Sequence, residues 1–118
     1  MIVVAEDQEE IRYVLQRALE RAGHEVVATG DGVAALEAIR LHRPAVVVTD
    51  VDMPHMTGLE LCRAIRADAE LRHIPVVLAS GSLLPGDEDA AAVGASAMLL
   101  KPFLAAQLVA CVAALLQG

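Results

Sequence analysis

The run Ala45 to Thr49 reads Ala-Val-Val-Val-Thr, apolar at successive positions, with Pro44 before it and Asp50 after it. Five residues are too few for a buried helix, and β-branched side chains, stiff at χ1, favour a strand. A strand apolar on both faces has to be covered on both faces, which is the setting of a parallel sheet between layers of helix. Shorter runs of the same kind stand at Ile2 to Ala5, Val76 to Ala79 and Ala97 to Leu100, and a half-polar one at Glu25 to Thr29.

The segments between these runs carry the other period. Ile11, Val14, Leu15, Ala18, Leu19 and Ala22 follow helical spacing up to Gly23, a natural stop. Asp31 can cap a helix carrying Val33, Leu36 and Ile39, which must end before Pro44 because proline pushes its predecessor out of helical geometry. Thr57 with Glu60 matches a capping box ahead of Leu59, Cys62 and Ile65. Acidic Asp87 to Asp89 suit the positive end of a short helix, and a final helix spans about Phe103 to Leu116. Five strand–helix units in a row predict a doubly wound α/β sandwich of three layers. One domain over residues 1–118 is expected, since no repeat, low-complexity stretch or linker interrupts the alternation.

Composition removes several function classes. With 56% apolar residues the chain is far from the disordered range, and its net charge of −7 repels nucleic-acid phosphate and anionic lipid. One Tyr, one Phe and no Trp leave no stacking platform for single-stranded nucleic acid. Neither nucleic acid nor membrane is therefore expected as a partner. Cys62 and Cys111 lack metal-ligand spacing and read as reduced core residues. Ile2 to Ala5 is too short for an export signal, so a cytoplasmic location is expected.

Polar residues gather where the apolar runs end: Glu6 and Asp7 after the first, Asp50 and Asp52 after the third, Ser80 after the fourth, Lys101 after the fifth. Open parallel sheets bind ligands at those carboxyl ends. Carboxylates brought so close raise one another's pKa unless a cation neutralises them, and an all-oxygen set suits Mg²⁺, with Mn²⁺ also accommodated. Lys101 is the only lysine beside eight arginines, a compact point charge able to reach a phosphoryl oxygen or a buried carboxylate. A carboxylate nucleophile, a charge-neutralising cation and hydroxyl and ammonium donors are the parts needed to capture a phosphoryl group covalently. Taken singly, Asp7 also suits an N-cap, Ser80 a turn and Lys101 a snorkelling surface lysine.

In order along the chain stand Glu6-Asp7, Asp50-Val51-Asp52-Met53-Pro54 with Thr57-Gly58, Pro75 through Ser80-Gly81, Gly94-Ala95 and Lys101-Pro102-Phe103. Together they resemble the receiver domain of two-component response regulators over essentially the whole chain. That resemblance implies a flavodoxin-like sheet of five parallel strands in order 2-1-3-4-5 with five helices. It implies that Asp50 accepts a phosphoryl group from a sensor histidine kinase or histidine phosphotransfer protein. Asp7, Asp50 and the backbone carbonyl of Asp52 would hold Mg²⁺, with Glu6 acting through water. Ser80 and Lys101 would bind the phosphoryl oxygens, and output would appear on the last two helices and last strand. Such a domain is a signalling phosphoacceptor, not an enzyme, limited to self-phosphorylation from small donors and autodephosphorylation.

Two residues depart from the pattern. Met98 stands where receivers usually carry Tyr or Phe, and a flexible thioether can fill the same gap. Asp52, two residues after the acceptor, places a further charge where the incoming donor arrives, so it is expected to alter the lifetime of the aspartyl phosphate. The final helix adds a third feature: Phe103 to Gly118 contains no charged residue, whereas a solvated helix keeps a polar side. A second copy of the chain is the expected cover, with an adjoining domain of a longer protein as the competing one. Two other functions share parts of this pattern. A haloacid-dehalogenase-like phosphatase shares the DxD at Asp50 to Asp52 but needs carboxylates after its lysine, and none follows Lys101. A receiver-like scaffold that works without phosphorylation would have no use for so repulsive a cluster.

Overall fold

Val46 and Val48 face one layer of helices and Val47 the other, so the consecutive valines do what their lack of alternation required. The computed structural model describes residues 1–81 and 92–117. Its strands are β1 (Ile2–Ala5), β2 (Val26–Thr29), β3 (Val46–Asp50), β4 (Val76–Ser80) and β5 (Ala97–Leu100). All pairings are parallel, in the order β2-β1-β3-β4-β5. Among the described residues four helices alternate with them: α1 (Glu9–Arg21), α2 (Gly32–His42), α3 (Gly58–Ala67) and α4 (Ala105–Gln117). The short helix expected at Asp87 to Asp89 lies outside the described residues.

Two apolar cores sandwich the sheet. On one side Ile2, Val4, Val46, Val48 and Val77 meet Leu15 and Leu19 of α1 with Leu108 and Val112 of α4. On the other, Val3, Val47, Val76 and Leu78 meet Leu36 and Ile39 of α2 with Leu61, Cys62 and Ile65 of α3. Burying each of these side chains stabilises the fold by about 1.5–3 kcal/mol relative to exposure. The edge strands β2 and β5 are only half-buried, in keeping with the mixed polarity of β2.

Local signals act where the sequence placed them. Asp31 Oδ1 accepts from the Ala34 amide at 2.8 Å, and Thr57 and Glu60 form the reciprocal capping box that starts α3. After α1, Gly23 takes φ +99°, a conformation that side chains resist. Met98 is half-buried and packs against the α2/α3 core. The last helix is less bare than its composition suggests: Leu108 and Val112 are buried, and Phe103, Val109, Cys111 and Leu115 pack beside them. Leu104 and Leu116 remain exposed, at 72% and 43%. No helix among the described residues is long and apolar enough to cross a membrane.

Candidate functional site

Four strands, β1, β3, β4 and β5, end side by side and deliver their polar residues to one rim. β1 lies between β2 and β3, so Glu6 and Asp7 emerge next to Asp50, the last residue of β3. On the far side of β3, Asp50 pairs in register with Ala79, one residue before Ser80, and the Lys101 amide donates to the Ser80 carbonyl at 2.9 Å. Carboxylate oxygens of Glu6, Asp7 and Asp50 all lie within 4.8 Å of one another.

Lys101 closes the cluster. Its Nζ lies 2.9 Å from Glu6 Oε1 and 3.1 Å from Asp50 Oδ1. Glu6 and Asp50 are buried, at 1% and 7% exposure, while Asp7 is open to solvent. Burial pushes the Glu6 carboxyl above its ordinary value, and the Lys101 ammonium only partly offsets this while Asp7 and Asp50 add to it. Burial works against the Lys101 charge too, but the bonds to Glu6 and Asp50 outweigh it and hold the lysine above its ordinary value. Removing water from like charges is expensive, so a cluster with three carboxylates and one ammonium retains a strong appetite for a cation. Oxygen donors alone fit a hard divalent metal such as Mg²⁺.

The backbone around Asp50 is fitted by glycine. A Cβ on Gly58 would run into the Asp50 carbonyl oxygen and come within 2.9 Å of Val51 Cα, so only glycine lets α3 start this close to β3. The Gly58 amide then donates to the Val51 carbonyl at 2.9 Å. A Cβ on Gly32 would meet the Met56 carbonyl oxygen at 2.5 Å, which sets the start of α2 against the same loop.

The structure thus brings Glu6, Asp7, Asp50 and Lys101 together, with Ser80 fully buried at the end of β4. Asp52 is exposed, and its carboxylate is not a member of the cluster. Two readings of single residues are corrected. Asp7 is not the N-cap of α1: Gln8 is, and no side chain caps that helix. Lys101 is no snorkelling surface lysine, since its ammonium is spent on two acids. Beside it, Lys101, Pro102 and Phe103 line one wall and Glu10, Ile11, Val14 and Leu15 of α1 the other wall of an apolar groove of about 640 Å³.

Sequence reasoning missed Arg12. Its Nη1 donates to the Glu6 carbonyl oxygen at 3.0 Å. A cation in the first turn of a helix opposes the macrodipole, and that mismatch was the available signal.

The model of the response regulator receiver domain family matches residues 2–113. The polar-differentiation response regulator DivK of Brucella anthropi is 34% identical over 88 residues, which cover 75% of this chain and 72% of DivK. Among solved structures, the chemotaxis response regulator CheY4 of Vibrio cholerae superposes with a TM-score of 0.90 at 30% identity, covering 97% of this chain and 96% of that one. The receiver domain of a sensor histidine kinase of Pseudomonas aeruginosa, solved with a magnesium ion coordinated in its active site cleft, gives a TM-score of 0.90 at 26% identity over 99% and 97% of the two chains.

Proposed function

The chain belongs to the response regulator receiver domain family, and from that premise we propose that Asp50 is its phosphoacceptor and residues 1–118 a single receiver domain. The observation that carries this reading is the cluster of Glu6, Asp7 and Asp50 closed by Lys101. Asp7, Asp50 and the Asp52 carbonyl would hold Mg²⁺ or Mn²⁺, with Glu6 contributing through water, and the chemistry a divalent ion would supply there is neutralisation of charge on phosphoryl oxygens.

In the transfer itself a carboxylate oxygen of Asp50 bonds to phosphorus as the phosphorus–nitrogen bond of a donor phosphohistidine breaks, its electron pair leaving with the imidazole. Lys101 exchanges a carboxylate partner for a phosphoryl oxygen, and Ser80 donates its hydroxyl to another. The new dianion biases the loops after β3 and β4 and hence the surface of the last helices and β5. The domain acts as a signalling acceptor in the cytoplasm, with self-phosphorylation from small donors and autodephosphorylation as its only chemistry. The donor is a histidine kinase or phosphotransfer protein. It seats on the apolar groove between α1 and Phe103, because Lys101 belongs to both that groove and the cluster. Exposed Leu104, just before α4, and Leu116, on that uncharged helix, support a homodimer through α4 and β5.

Incubation with acetyl phosphate and Mg²⁺ tests the central assignment by intact mass. The parent should gain one phosphoryl group and Asp50→Asn none; an unmodified parent overturns it. Failure to bind beryllofluoride with Mg²⁺ would favour the phosphorylation-independent scaffold instead.

A further inference from the structure

The turn that presents Asp7 has few ties. Glu6 and Asp7 leave β1, and α1 begins two residues later with Gln8 as an N-cap whose side chain makes no capping bond. One tie comes from the Glu6 side chain itself, whose Oε2 accepts from the Gln8 amide at 3.3 Å, and that carboxylate is shared with Lys101. The Glu6 amide also donates to the Thr29 carbonyl at 3.0 Å, and on the other side of the same residue Arg12 Nη1 donates to the Glu6 backbone carbonyl at 3.0 Å. Space for its guanidinium is kept by Gly30, just past β2, where a Cβ would stand 3.0 Å from Nη1. Among the described residues Arg12 forms no ion pair with a carboxylate, so its bond to the carbonyl is a backbone tether and not a charge partner.

From this we infer that Arg12 is a positioning residue for the divalent-metal site: by anchoring the Glu6 carbonyl it fixes where Asp7 points. The inference rests on the receiver reading above and deepens it. An exposed carboxylate on an untethered turn would have to be ordered each time a cation bound, and that entropy would be subtracted from affinity. The sign of the effect separates this role from simple electrostatics. A cation beside an acidic site weakens divalent binding, so deleting Arg12 should tighten Mg²⁺ if only its charge mattered. Deletion should loosen Mg²⁺ if the tether matters.

The test is Mg²⁺ titration of the full chain by calorimetry, with thermal unfolding of the metal-free protein alongside. Arg12→Ala should weaken Mg²⁺ about tenfold, the scale found when groups that orient metal ligands are removed. Arg12→Lys, which keeps the charge but not the fork, should recover only part of the loss. Gly30→Ala leaves Arg12 in place but crowds it, and should weaken Mg²⁺ in the same direction; it carries the comparison should Arg12→Ala fail to fold. Arg17→Ala, an exposed arginine on the same helix, should match the parent. Equal or tighter Mg²⁺ binding by the Arg12 and Gly30 variants, with the parent binding normally, overturns the inference alone. A parent that does not bind Mg²⁺ overturns the receiver reading and this inference with it.

Discussion

The Nζ of Lys101 lies 2.9 Å from Oε1 of Glu6, a bond between residues 95 positions apart that fastens the end of β5 to the end of β1. Replacing the lysine leaves buried Glu6 facing Asp50 with no cation between them. Breaking a buried pair by removing one partner costs about 3–5 kcal/mol, and the 25% exposure of the Lys101 side chain brings the expectation to about 2 kcal/mol. Urea denaturation of Lys101→Met in EDTA measures this. Adding Glu6→Gln to that variant should restore most of the loss, and strictly additive costs would contradict the pairing.

Gly58 is the tightest fit in the site, and the atoms it abuts are backbone and cannot swing aside. Gly58→Ala should destabilise by about 3 kcal/mol through overpacking and lower phosphorylation from acetyl phosphate by displacing the loop that follows Asp50. Gly81→Ala is the control: its nearest neighbour would be Lys101 Cβ at 3.9 Å, an ordinary contact. A cost for Gly58→Ala no greater than for Gly81→Ala would remove the argument.

The capping box of α3 gives a pH dependence with a definite sign. The Thr57 amide and hydroxyl hold the Glu60 carboxyl below its ordinary value of 4.5. A lowered carboxyl contributes stability that is present above pH 4.5 and lost as pH falls through the lowered value. The stability gap between parent and Glu60→Gln should therefore be widest near neutrality and close as pH falls through the lowered value. A gap that is constant from pH 7 to the acid limit would refute the cap.

Much of this molecule was legible before its coordinates. The strands were readable because five short β-branched runs are too brief to be anything else, and the site was readable because polar residues punctuate the ends of those runs. β1 and β5 begin and end where the pattern put them. What stayed hidden depends on approach in space. Glu6 bonds Lys101 directly, whereas the sequence offered the lysine a phosphoryl oxygen or a buried carboxylate without saying which acid. Arg66 donates to the carbonyls of Arg72, Ile74 and Gly94 and to Ser96, stitching α3 to the loops before β4 and β5, and no local motif announces it. The apolarity of α4 read as a bare surface because the chain does not say that α1 supplies Leu15 and Leu19 to cover half of it.

The groove beside Lys101 offers a way to separate docking from chemistry. Val14 lines it and is 57% exposed, so a charge there should leave folding within about 0.5 kcal/mol of the parent. Val14→Asp should slow transfer from a phosphohistidine protein at least tenfold, a change of about 1.4 kcal/mol in the encounter, while leaving acetyl phosphate labelling intact. Equal loss with both donors would place the defect in the site and not in the groove.

Asp52 carries its charge two residues beyond Asp50, in solvent and outside the cluster of Glu6, Asp7 and Asp50. An anionic donor has to approach past it. One unit charge met across water at about 4 Å is worth about 1 kcal/mol, so Asp52→Asn should speed acetyl phosphate labelling by up to about fivefold at low salt. The gain should shrink as salt screens the charge. The same loss of charge removes a repulsion from the aspartyl phosphate itself, so its lifetime in Mg²⁺ should also change. Phosphoryl loss followed by mass, with labelling rates at two ionic strengths, measures both; unchanged labelling and unchanged decay would show that the Asp52 side chain has no part in the reaction.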